Sequence, residues 1–97
     1  FTGIAMAVPE CHVGLIWDKS GLAIKNGLKV LGGVIDSGYR GEIMVGLINL
    51  GKEDYEFSEG DKVAQMVIQR KEEMVVEEVQ ELDETERGEQ GFGSSGK

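Results

Sequence analysis

Cysteine and proline each occur once in these 97 residues, and aromatic side chains make up only 6%. A single cysteine, Cys11, closes no internal disulfide, which argues against a disulfide-stapled secreted domain and fits a reducing compartment such as the cytoplasm. A nuclear setting or a viral source stays open. No apolar run approaches the roughly 20 residues that cross a bilayer, and the opening FTGIAMAVPE lacks the basic start of a signal peptide. No membrane partner is expected. Positive charge is also scarce: the net charge is −8, which argues against broad binding to nucleic acid. The sequence contains no GxxxxGK[ST] phosphate loop. Cys11 and His12 are neighbours, so on a strand they point to opposite faces and make poor metal co-ligands.

The acidity is unevenly placed. Residues 72–89 hold nine of the 18 carboxylates, while residues 1–71 hold nine acids against eight bases and are near neutral. A neutral body leaves room for a few local cations to hold one small polyphosphate. A domain of this size buries a core but has little left for a deep cavity. Its site is therefore expected to be shallow, or built between subunits. The chain opens at Phe1 within what reads as a strand, and an upstream segment is expected before it.

Fifteen glycines punctuate the chain into short apolar runs. Thr2, Ile4, Met6 and Val8 alternate with smaller residues, and Val13, Leu15 and Trp17 alternate again. Ser20–Asn26 is predicted as one or two helical turns, with Ser20 as cap and Gly27 as stop. Strands are predicted over 28–35 (interrupted at Gly32-Gly33), 39–49, 55–57, 62–69 and 73–79. Asp36-Ser37-Gly38 reads as a tight turn. Many short strands with little helix imply an all-β sandwich, jelly roll or barrel. Residues 1–80 form the expected body. Residues 81–97, poor in apolar side chains, form an acidic linker and a mobile arm that a ligand would order.

Four segments could carry chemistry. In Gly32–Glu42, GGVIDSGYRGE, a turn presents a carboxylate, Asp36, three residues before an aromatic, Tyr39. Glycines there let a ligand approach the backbone, and a carboxylate at a rigid tip can orient and deprotonate a water. Taken alone, Asp-Ser-Gly is better explained by an ordinary β-turn. In Asp18–Ala23, DKSGLA, a cation and a hydroxyl stand at a helix start, which suits an anion but, without context, is better explained as a simple cap with a solvated lysine. Gly60–Gln65, GDKVAQ, reads mostly as a turn entering a half-buried strand. Arg87–Gly96, RGEQGFGSSG, is a glycine-serine loop whose amides could wrap phosphate oxygens. Its lone aromatic, Phe92, has no obvious core to join.

Together these four strings resemble, in order and approximate spacing, the second to fifth motifs of the trimeric dUTPases. The resemblance covers nearly the whole chain; the first motif, with an acidic residue that helps hold the metal, has no counterpart. It implies an all-β dUTPase-like barrel or jelly roll with one short helix and a flexible glycine-rich tail. It implies hydrolysis of dUTP to dUMP and pyrophosphate, with Mg²⁺ as cofactor, in a homotrimer that shares its active sites. Asp36 would activate water. Tyr39 would pack on the deoxyribose, and the main chain at Gly33 and Ile35 would read uracil, over which Phe92 stacks. Lys19, Ser20, Gly21, Gln65, Arg87, Gly93, Ser94 and Ser95 would hold the phosphates. Lys19 stands where arginine is commoner, and lysine offers charge without a bidentate fork. Gln90 stands where many members have glycine. A dCTP deaminase of related fold shares the Ile-Asp-x-Gly-aromatic string, but needs a glutamate where this chain has Gly46. A dUTPase-like module that binds without catalysis is the second alternative.

Overall fold

The computed structural model describes residues 1–93. Its elements run β1 (His12–Asp18), α1 (Ser20–Asn26), β2 (Leu28–Leu31), β3 (Val34–Ile35), β4 (Gly46–Asn49) and β5 (Ala64–Arg70). All pairings between these strands are antiparallel. β3, β1 and β5 form one sheet in that order, and β2 and β4 form a second. The architecture is all-β with one short helix, as the turn-rich pattern predicts.

The core is thin. Val8, Ile16, Leu28, Val30 and Ile43 are the buried apolar residues among those described. Ile16 of β1 meets Val30 of β2 and Ile43, and Ile35, Leu47 and Met66 pack around them. Alternation in β1 thus turns Gly14 and Ile16 inward, while Trp17 faces out. The longest ribbon pairs β1 with β5 from His12↔Arg70 to Asp18↔Ala64. The radius of gyration, 18.7 Å, exceeds the roughly 13 Å of a compact chain of this length. Most of residues 71–93 lie exposed, with Val75 at 95% and Val76 at 94%.

Several predicted elements differ. The 39–49 strand breaks up because its pieces take different partners: Ile43 N–H donates to the Ile4 carbonyl and Thr2 N–H to the Ile43 carbonyl, whereas 46–49 pairs with β2. The 2–8 alternation yields an isolated bridge, Ala5↔Glu42. Residues 55–57 form a loop in which the Tyr55 and Phe57 rings meet at 4.8 Å. Residues 73–79 form no strand: a strand needs a neighbour to satisfy its backbone, and among the described residues none pairs with this segment. The helix cap is Lys19, not Ser20. Lys19 is extended, its carbonyl accepts the Ala23 N–H, and Ser20 is already helical. Gly27 stops the helix as predicted, at φ +73° with its N–H turned back to the last turn.

Candidate functional site

α1 and the β1–β5 ribbon bring two of the predicted phosphate-binding residues, Ser20 and Gln65, to one place. Trp17 and Gln65 are cross-strand partners, so their side chains share the outer face of the ribbon. Helix α1 lies along that face. Between them is an open depression of about 490 Å³ lined by Trp17, Asp18, Ser20, Ile24, Gln65 and Val67, with Ala23 at its side. Its lining mixes the apolar Trp17, Ile24 and Val67 with the polar Asp18, Ser20 and Gln65. Because Ser20 is not spent on capping, its hydroxyl is free to meet a ligand. Lys19 and Gly21 flank it in sequence, at the helix start.

Asp18 organises this corner. Its carboxylate accepts a 2.6 Å bond from the Val30 N–H and a 2.8 Å bond from Lys29 Nζ. The Lys29 bond first, and the Val30 N–H second, hold its carboxyl below the ordinary carboxylate value. Its carbonyl accepts a 2.8 Å bond from Gln65 Nε2, across 47 residues of sequence. Reasoning from sequence assigned Asp18 no role. The available signal was an acid placed directly before the Lys19-Ser20 pair, with Lys29 on the far side of a single short helix.

The Asp36 turn lies elsewhere on the surface. Gly33 has φ +109°, and a Cβ there would stand 2.8 Å from the Ile16 carbonyl. The Ile16 N–H in turn donates to the Gly33 carbonyl at 2.8 Å. Gly33 thus admits the backbone of β1, and it is Gly32, at φ +69° with open space around it, that leaves main chain accessible. After β3 the chain turns tightly, the Tyr39 N–H donating to the Asp36 carbonyl at 3.1 Å. The carboxylate of Asp36 projects exposed from this turn. Tyr39 donates its hydroxyl to the Glu42 carbonyl at 2.7 Å, which fixes the ring while leaving it 39% exposed. Arg40 Nη1 ties the turn to the Ser37 carbonyl at 2.7 Å.

The described part of the arm makes only local bonds. Arg87 Nε donates to the Gln90 carbonyl, and Phe92 is fully exposed at φ +48°. Asp36, Tyr39, Arg87, Phe92 and Gly93 do not line the depression that holds Ser20 and Gln65. Ser94 and Ser95 lie outside the described residues. Among the described residues no three His, Cys, Asp or Glu side chains cluster to hold a metal ion. Among these residues, too, no helix is long and apolar enough to cross a membrane.

Fold and site define an all-β protein that displays its polar groups on open faces and tips rather than in a closed cavity. The dUTPase family profile matches residues 1–96. A deoxyuridine 5'-triphosphate nucleotidohydrolase of Clostridium novyi is 54% identical over 98% of this chain and 68% of its own length. Those of Corynebacterium glutamicum and Mus musculus are 52% and 49% identical, over 99% of this chain and 66% and 59% of their own lengths. The solved Staphylococcus bacteriophage 80alpha dUTPase with dUPNHPP superposes with a TM-score of 0.77 at 31% identity, over 95% of this chain and 71% of that one. The chain belongs to the dUTPase family. It spans about two thirds of the length of the curated relatives it matches.

Proposed function

We propose that the protein hydrolyses dUTP to dUMP and pyrophosphate. The observation that carries this reading is the convergence of Ser20 and Gln65 on one open depression, from two motifs far apart in sequence. A polyphosphate suits such a place: it needs donors on an accessible rim rather than an enclosing pocket. Lys19, Ser20, Gly21 and Gln65 would hold the phosphates, joined by Arg87, Gly93, Ser94 and Ser95 when the 81–97 arm closes over the 1–80 body. The phage relative was solved with dUPNHPP, which supports a deoxyuridine triphosphate as ligand.

Asp36 orients a water and takes its proton as the oxygen attacks the α-phosphorus. The bond from that phosphorus to the bridging oxygen breaks, and its electron pair leaves with pyrophosphate. Tyr39, its hydroxyl already bonded to the Glu42 carbonyl, offers its ring to the deoxyribose. Main chain around Gly33 and Ile35, where Gly32 leaves the backbone open, reads uracil, and Phe92 stacks on it. Mg²⁺ would be held chiefly by the substrate's phosphate oxygens, and it would supply charge neutralisation there. The reaction is placed in the cytoplasm.

A homotrimer with shared sites is part of the same reading. The Asp36 turn, the Ser20–Gln65 depression and the arm occupy separate surfaces of one chain, so complementary surfaces of neighbours can complete each site. The exposed apolar side chains Phe1, Leu50, Met74, Val75 and Val76 supply surface for such contacts. Gly46, exposed at the start of β4, offers no carboxylate for the deaminase alternative.

The test is Asp36→Asn in the full-length protein. Turnover is expected to fall by about 10²–10⁴-fold, the span of general-base catalysis, with affinity for a non-hydrolysable dUTP analogue kept. Unchanged turnover would refute the role of Asp36.

A further inference from the structure

We propose that Asp18 is a positioning residue that sets the phosphate-binding corner, holding Gln65 and the Lys19-Ser20 pair in one fixed arrangement. The inference rests on the reading of that corner as the place where the triphosphate binds.

Asp18 ends β1, and three independent bonds meet on it. Its carboxylate reaches across to the second sheet, taking the Val30 N–H at 2.6 Å and Lys29 Nζ at 2.8 Å. β1 and β2 share no ladder, so this carboxylate ties the two sheets at the edge of the depression. The Asp18 side chain is only 20% exposed, and Lys29 reaches it from solvent at 52%. The Val30 N–H bond is part-buried and is the firmer of the two, whereas the Lys29 pair is solvent-exposed and adds less.

The third bond is made by the backbone. Gln65 Nε2 donates to the Asp18 carbonyl at 2.8 Å. One amide hydrogen is thereby committed, and the other is left to be donated to a ligand in the depression. Gln65 can present that hydrogen in a fixed direction only while the Asp18 peptide is fixed; the end of the β1–β5 ladder, Asp18 opposite Ala64, holds it on one side, and the carboxylate's contact with β2 holds it on the other. The next two residues are Lys19 and Ser20. Swinging the Asp18 peptide would therefore move all three phosphate partners together, without touching the Asp36 turn.

The experiment compares Asp18→Ala and Asp18→Asn with the parent in the full-length protein, after circular dichroism and sizing establish that each variant is folded and assembled alike. Asparagine can still accept the Val30 N–H but loses the pairing with Lys29. Asp18→Ala is expected to raise KM for dUTP and weaken a non-hydrolysable dUTP analogue by about tenfold or more, the scale of a misdirected charge-assisted bond. It should leave kcat and the affinity for dUMP, which lacks the β- and γ-phosphates, within a few-fold of the parent. Asp18→Asn should lie between. Equal weakening of dUMP and the triphosphate analogue would make Asp18 merely structural and overturn the proposal, as would parental constants in Asp18→Ala. If the parent itself neither binds nor hydrolyses dUTP, the functional reading falls first and takes this proposal with it.

Discussion

Gly33→Ala is expected to destabilise the protein much more than Gly32→Ala, although the two glycines are adjacent and both have positive φ. At Gly32, φ +69° lies near the left-handed region and nothing stands within 4 Å of an added Cβ. Alanine there costs about 1–2 kcal/mol of backbone strain, offset by roughly 0.4–1 kcal/mol from a stiffer unfolded chain. At Gly33, φ +109° is outside that region, and the added Cβ would lie 2.8 Å from the Ile16 carbonyl oxygen, which is backbone and cannot rotate away. Backbone strain there costs about 1–3 kcal/mol. Relief of the clash pushes β3 off β1 and loosens the Ile16 N–H bond to Gly33, worth about 1 kcal/mol. With the same unfolded-chain offset of roughly 0.4–1 kcal/mol, the sum is about 1–3.6 kcal/mol. For a chain this size each kcal/mol moves the melting midpoint by about 4–8 °C, so Gly33→Ala should lower it by about 5–25 °C and Gly32→Ala by about 5 °C or less. Thermal unfolding followed by circular dichroism, at one protein concentration, measures both. Equal shifts, or a Gly33→Ala shift below about 4 °C, would refute the assignment of Gly33 to the packing of β1.

Two further outcomes are expected. Removal of residues 87–97 should lower kcat/KM for dUTP by about a hundredfold or more, the scale of losing preorganised phosphate donors, while the melting midpoint stays, because the described arm makes only local bonds; steady-state kinetics beside a melting curve checks this. Acidification should weaken the protein partly through Asp18. Its folded carboxyl titrates below the unfolded value of about 3.9, so its contribution is complete above that pH and is lost as pH falls toward the folded value. Lys29→Met removes the principal cause of that depression, so denaturant midpoints between about pH 5 and pH 3 should fall less in the variant than in the parent.

The parts of the fold legible in sequence were those set by local chemistry. Gly27 ends the helix because the chain must turn left-handed there. Asp36-Ser37-Gly38 turns because Tyr39 N–H can reach back to Asp36. What depends on distant partners was not legible. Met74, Val75 and Val76 have strand propensity, yet they lie exposed with no strand beside them. The 39–49 run looks continuous, but its halves pair with different segments. The site divides in the same way. Ser20 and Gln65 stood out through their motifs, and their convergence follows from the register of β1 on β5. The work of Asp18 stayed hidden because it is done by a carbonyl and by a cross-sheet contact to Val30, neither of which leaves a pattern in local sequence. The deaminase and the hydrolase share the Asp36 turn as a string, and the neighbours of that turn separate them: Gly46 in place of a carboxylate, and the arginine-led arm.

The most direct test of the central claim is product analysis with the full-length protein given dUTP and, separately, dCTP. The account predicts dUMP and pyrophosphate in equal amounts from dUTP, abolished in Asp36→Asn, and no ammonia from dCTP. Ammonia from dCTP, or dUTP bound but left uncleaved by the parent protein, would contradict it.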